Sequence, residues 1–159
     1  MNHGVTTFIC KARVLIEYSG KFLLLEHQFG DKIMLILPGG KVEAFDETQS
    51  EIIHNLNGDG KDRNDSDILL NALRREVYEE LKINLPQVID YCCSHFFTNT
   101  QGEPVIDVVF YVKLEERPNI VVDGEEVKSF VWMDQKEILS HDHVHDWLKK
   151  ILNIFDKID

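Results

Sequence analysis

Residues 72–83 read ALRREVYEELKI. The stretch is built from helix formers, and it sets Glu76, Glu79 and Glu80 at positions i, i+3 and i+4, neighbours on one helical face about 5–6 Å apart. Like charges at that spacing repel. A helix running from Ser66 or Asp67 to about Lys82, ahead of Pro86, brings Leu70, Leu73, Val77 and Leu81 within roughly 80° of arc, the stripe that a helix turns to a core. The carboxylates begin beside that stripe and not across from it. A solubilising face lies opposite the core, so the offset favours a cation site over a solvated acidic face.

The chain has 159 residues and is 43% hydrophobic, which suits one well-buried core and predicts a single domain over 1–159. Its net charge of -11 disfavours a general electrostatic grip on nucleic acid or on an anionic membrane. A phosphate-bearing ligand needs a locally reversed field, which metal ions supply. The opening MNHGVTTFICKARV lacks the charged-then-apolar pattern of a secretory signal, and no apolar run approaches the roughly 18 residues of a membrane span. The reading is a cytoplasmic protein, monomer or homodimer. Cys10, Cys92 and Cys93 are odd in number and lack zinc spacing, as expected of reduced thiols. Strand alternation predicts Cys92 and Cys93 on opposite faces, in packing roles.

Phe8 to Glu17, the turn YSGK and the run KFLLLEH predict a hairpin, and MLIL predicts a third strand ending at Pro38-Gly39-Gly40. TQSE from Thr48 has the form of a capping box for a short helix through Ile52, Ile53 and Leu56. The almost wholly polar tract 55–67 reads as a flexible excursion. Beyond the acidic helix, QVIDYCCSHFF and VIDVVFYVKL read as strands joined by TNTQGEP, SFVWM as another, and DQKEILS as a short helical turn. Val144, Trp147, Leu148, Ile151, Leu152 and Phe155 at helical spacing predict a terminal helix from about Asp142 to Ile158. The element order indicates a mixed α/β domain.

PGGKVE at 38–43 together with ALRREVYEEL at 72–81 resembles the signature of the Nudix hydrolases, G-x5-E-x7-R-E-U-x-E-E-x-G-U with U apolar. The matching positions are Gly40, then Asp46 or Glu47, then Arg75, Glu76, Val77, Glu79, Glu80 and Ile83. The resemblance implies an α/β/α sandwich with mixed sheets and hydrolysis of a diphosphate linkage in a nucleoside diphosphate joined to another group, with Mg²⁺ or Mn²⁺. It implies metal ligation by Gly40, Glu76, Glu79 and Glu80, and a base at Glu76 or Glu79. Arg75 then pairs with the first acidic residue, and substrate contacts come from Gly39, Gly40, Lys41 and Glu43. A further acid of the family arrives before the late strand, a place matched by Glu126, six residues ahead of Trp132, with Glu125 its near alternative.

Three departures accompany the match. Arg75 follows Gly40 by 35 positions against 14 in the pattern, so about 21 residues are inserted, over roughly 49–66. Loop closure grows only logarithmically with length, a cost of about 1 kcal/mol or less. The glycine expected near the helix end is Lys82, which predicts that the left-handed cap is replaced by another conformation. Asp46 has the family spacing, whereas Glu47-Thr48 better matches the Glu-Ser/Thr pair, and a one-residue expansion slightly favours Glu47. A non-catalytic Nudix-fold module or regulator that binds a nucleotide without cleaving it is the alternative function.

Other features carry weaker readings. His141, His143 and His145 alternate at the start of the terminal helix, where polar residues commonly sit. Asn55, Asn57, Asp59 and Gly60 mimic a calcium loop, but the twelfth position is Ser66, without a bidentate carboxylate. His27, His95 and Phe97 line a leaving-group pocket or simply pack.

Overall fold

The computed structural model of the chain describes residues 7–49, 67–122 and 124–155, with backbone alone at 47–49 and 155. Most of the TQSE helix, the polar excursion and the calcium-like tract lie outside the described residues. Apolar, β-branched runs form β1 (Ile9–Tyr18) and β2 (Lys21–Phe29), joined as a hairpin. β3 (Lys32–Ile36) returns along β2, and β4 (Gly39–Lys41) crosses to pair with β1. After a 3₁₀ segment at Ala44–Gln49 comes α1 (Ile68–Leu81), followed by β5 (Asp90–Thr98), β6 (Pro104–Leu114), β7 (Val127–Met133), α2 (Gln135–Ser140) and α3 (Asp146–Phe155).

The only parallel pairing among the described strands joins β1 to β6, from Ile9↔Val105 to Tyr18↔Leu114, and the other pairs are antiparallel. The strands run β3-β2-β1-β6-β5, with β4 on β1 and β7 on β2. Alternation splits the core between two faces. Ala12, Val14, Ile16, Leu23 and Leu25 meet Leu70, Leu73, Val77 and Leu81 of α1. Leu15, Phe22, Leu24 and Val109 meet Ile138 of α2 and Leu148, Ile151 and Leu152 of α3. The result is the mixed-sheet α/β/α architecture that the resemblance implies.

Asp67 caps α1 by accepting from Leu69 N at 2.8 Å, which satisfies one of the amides left open by the first turn. At the other end Lys82 has φ 56° and ψ 31°. This corrects the expectation that a lysine excludes the left-handed cap. The Lys82 amide donates to Tyr78 O at 2.9 Å, its Nζ donates to Glu79 O at 3.0 Å, and the ammonium lies 5.5 Å from the centroid of the Tyr78 ring. A left-handed residue with a Cβ costs roughly 1–2 kcal/mol, and these contacts offset part of it. Lys82→Gly relieves the backbone cost but loses the contacts and some chain entropy, so a net gain of about 0.5 kcal/mol is expected in the urea midpoint.

The terminal helix starts later than its apolar spacing predicts. His141, His143 and Val144 precede it in a segment pinned to β3, where Leu35 N donates to His143 O at 2.9 Å. Among the described residues no helix is long and apolar enough to cross a membrane.

Candidate functional site

β4 meets β1 through Arg13↔Gly39 and Ala12↔Gly40, which lays the Pro38-Gly39-Gly40 bend against the middle of α1. Gly39 N donates to Glu80 Oε2 at 2.9 Å. A Cβ built on Gly40 stands 2.4 Å from the Glu76 carboxyl carbon, so the bare backbone there is what admits that side chain. The two halves of the motif, far apart in sequence, form one surface.

Arg75 ties the following loop to the helix. Its Nε donates to Asp46 Oδ1 at 2.8 Å and its Nη2 to Asp46 Oδ2 at 3.1 Å, a bidentate pair. Nη2 also reaches Lys41 O at 3.0 Å, and Nη1 is shared by Glu76 Oε1 at 2.9 Å and Glu79 Oε2 at 3.1 Å. All five donors of the guanidinium are thereby used. Burial is the largest single influence and works to raise the Asp46 carboxyl, but the Arg75 hydrogen bonds, the Glu43 amide and the Arg75 charge together outweigh it and leave the pKa lowered. Among the described side chains the acidic partner that this loop gives Arg75 is Asp46, the alternative with the family spacing, and the side chain of Glu47 lies outside the described residues. No expansion of the loop is needed, because Asp46 N donates to Glu43 O at 3.0 Å and Glu43 N to Asp46 Oδ2 at 2.8 Å.

The three helical carboxylates have different surroundings. Glu80 is 6% exposed, and burial pushes its carboxyl up to about 8 against the opposing pull of the Gly39 amide and the Arg13 charge. Glu76 is raised by burial and by the charges of Glu79 and Glu126, with Arg75 opposing. Glu79 projects outward, its side chain 57% exposed. Glu126 is exposed just ahead of β7, yet its charge is felt at both Glu76 and Glu80. Lys41 and Glu43 are exposed along the loop edge. His27 joins the site, with Nε2 3.8 Å from Glu80 Oε1.

As arranged, Glu76 and Glu79 turn to Arg75 while Glu80 turns to Gly39. Among the described residues no three His, Cys, Asp or Glu side chains are gathered as a metal cluster, the histidines of 141–145 included. His95 and Phe97 sit elsewhere: the His95 ring stacks on Trp147 of α3 at 4.6 Å and on Phe97 at 5.5 Å.

Two residues that motif reading passes over brace the bend from the α3 side of the sheet. Arg13, 9% exposed, donates through Nη1 to Leu37 O at 3.0 Å and lies 3.4 Å through Nε from Asp107 Oδ2. Asp107 is 1% exposed. The available signal was a charged residue at an inward position in each of two apolar strands, KARVLIEY and VIDVVFYV. Arg13→Met takes the guanidinium from a buried carboxylate that then faces the His95 ring, 3.6 Å away, and a loss of about 3 kcal/mol is expected in chemical denaturation, most of it recovered in Arg13→Met/Asp107→Leu.

The sequence matches the NUDIX domain over residues 11–153. None of the curated proteins matches it at a significant level. Among solved structures, the MutT protein from Methanosarcina mazei Go1 is similar at 22% identity and TM-score 0.70, covering 96% of this chain and 95% of that one. An Ap4A hydrolase binary complex from C. elegans is similar at 16% identity and TM-score 0.67, covering 94% and 96%. The NUDIX domain of Shewanella oneidensis NrtR, complexed with ADP ribose, is similar at 14% identity and TM-score 0.70, covering 100% and 94%. These likenesses are in fold. With a match that spans nearly the whole chain and takes in both the glycine bend and the acidic helix, the chain belongs to the NUDIX domain family.

Proposed function

We propose that the protein is a divalent-cation-dependent pyrophosphohydrolase acting on a nucleoside diphosphate joined to a further group, such as a nucleoside triphosphate or a dinucleoside polyphosphate. The observation that carries the reading is the seating of the Gly39-Gly40 bend on the Glu76–Glu80 turn of α1. The donor set is hard oxygen, the kind that Mg²⁺ and Mn²⁺ prefer. Glu76 and Glu79 already converge on a single cationic nitrogen, and Glu80 is an acid whose charge the fold penalises. Both features fit a divalent ion, which Glu76, Glu79, Glu80 and the Gly40 carbonyl would hold.

When bound, such an ion neutralises the diphosphate and lowers the pKa of a water for attack at phosphorus. Glu76 or Glu79 takes the proton of that water, with Glu126 as a further acid at the rim. Arg75 positions both carboxylates and keeps the loop closed on the helix. Gly39, Gly40, Lys41 and Glu43 form the edge against which the diphosphate lies.

The test is a hydrolysis panel over nucleotides, dinucleotides and nucleotide sugars with Mg²⁺ or Mn²⁺, products identified and a chelator as control. Cleavage between phosphorus atoms that stops with chelator is expected. Tight binding without product across the panel would instead favour a binding module, the reading that the ADP ribose complex of the NrtR domain keeps in view.

A further inference from the structure

Cys92 and Cys93 take no part in the site above. Strand alternation predicts their thiols on opposite faces, and the structure corrects this. Along β5 the partner of Tyr91 is Phe110 and the partner of Cys93 is Val109, so Cys92 is the extra residue of a bulge. Both thiols pack against the core cluster on the α3 side, both are half-buried, and their Sγ atoms stand 3.7 Å apart with the Cys92 S–H donating to Cys93.

That spacing discriminates between the two things a dithiol can do. A disulfide needs sulfurs about 2.05 Å apart on Cα atoms about 4.4–6.8 Å apart, whereas adjacent Cα atoms across a trans peptide are about 3.8 Å apart. Closing one here would strain the bulge. Two thiolates each about 2.3 Å from one tetrahedral centre stand about 3.8 Å apart. A pyramidal three-coordinate centre has narrower angles and draws its two thiolates a few tenths of an ångström closer than that, a distance that side-chain rotation from the observed 3.7 Å covers without backbone movement.

We propose that Cys92 and Cys93 form a bidentate thiolate site for a single soft, thiophilic centre, of which a trivalent arsenical is the best-fitting class. Among the described residues no third His, Cys, Asp or Glu completes a cluster, which argues against a structural zinc with its four protein ligands. A trivalent arsenical brings its own third substituent. With an organoarsenic oxide, two S–H bonds and the arsenic–oxygen bond break, two arsenic–sulfur bonds form, and the oxygen leaves as water. Arsenic stays trivalent and no oxidant is consumed. Cys93 is the first nucleophile: the hydrogen bond from Cys92 lowers its thiol pKa despite partial burial.

Phenylarsine oxide added to the full chain tests this by native intact mass and by counting maleimide-reactive thiols. One adduct is expected, formed with loss of one water, protecting two of the three cysteines and released by a dithiol but not by a monothiol. Cys92→Ser and Cys93→Ser should each weaken binding by about 100-fold or more through loss of the chelate, and Cys10→Ser should leave it unchanged. Circular dichroism checks that each variant is folded. No adduct, an adduct that requires Cys10, or wild-type affinity in the folded Cys92→Ser or Cys93→Ser variant would overturn the proposal.

Discussion

Glu80→Gln is expected to lower turnover by at least about 10³-fold, as loss of a direct metal ligand should exceed the 10–100-fold typical of outer-shell partners, while making the metal-free protein more stable at alkaline pH. The two effects share one cause. Burial raises the Glu80 carboxyl from 4.5 to about 8 in the folded chain. Between those pH values the native state keeps a proton that the unfolded chain has released, so native stability falls as pH rises, by up to about 1.4 kcal/mol per pH unit. Glutamine still accepts from the Gly39 amide but carries no charge. The variant should therefore match wild type near pH 4.5 and exceed it by a few kcal/mol near pH 8. Mg²⁺ should restore the wild type selectively, because binding to the native state adds stability by mass action. Glu79→Gln is the control: it should lose turnover while keeping the buried Glu80 carboxyl, and with it most of the wild-type loss of stability above pH 4.5. Thermal unfolding from pH 4.5 to 8, with chelator and with Mg²⁺, reads both. Full activity in both variants would end the mechanism, and an unchanged slope in Glu80→Gln would end the claim that the fold penalises that charge.

What the sequence made legible follows from periodicity. Leu70, Leu73, Val77 and Leu81 repeat at helical spacing and all four are buried, and the alternating strands fall where the apolar runs do. The placing of three acids on one helical turn was equally readable. What differs among them was not, because the bend arriving from β4 covers Glu80 and leaves Glu79 outside, and a helical wheel contains no second element. The same gap explains the other misses. Asp46 pairs with Arg75 through a turn closed by Glu43, at the family spacing, whereas the preference for Glu47 came from residue type and an assumed loop expansion, neither of which contains the turn. Lys82 holds a left-handed cap because its own side chain finds Glu79 O and Tyr78. Cys92 and Cys93 share a side because of a slip against β6, which pattern along one strand cannot reveal. Arg13 and Asp107 come from strands whose neighbours are far apart in sequence, so their pairing required the parallel β1–β6 register.

Gly39→Ala is expected to abolish the native fold, whereas Gly40→Ala should fold and lose activity. Gly39 has φ 124°, a conformation open in practice to glycine alone, and a Cβ there would stand 2.1 Å from Ala12 O and 2.8 Å from Arg13 Cα. Those atoms are backbone of β1, held by β4 on one side and by ten paired positions of β6 on the other. They cannot retreat without unzipping the sheet, so a cost above about 4 kcal/mol is expected, comparable to the whole stability of a marginal domain. At Gly40 the atoms in the way belong to the Glu76 carboxyl, 2.4 Å from the added carbon, at the end of a flexible side chain. That carboxyl swings aside at little cost to the fold, leaving Arg75 Nη1 and losing the position from which it would take a proton or an ion. A fall in turnover of about 100-fold or more is expected with the circular dichroism spectrum retained. Denaturation curves and Mg²⁺-dependent hydrolysis on the pair separate the roles. A Gly39→Ala protein with wild-type stability would show that the bend is not held against β1 as described, and a fully active Gly40→Ala would remove Glu76 from the reaction.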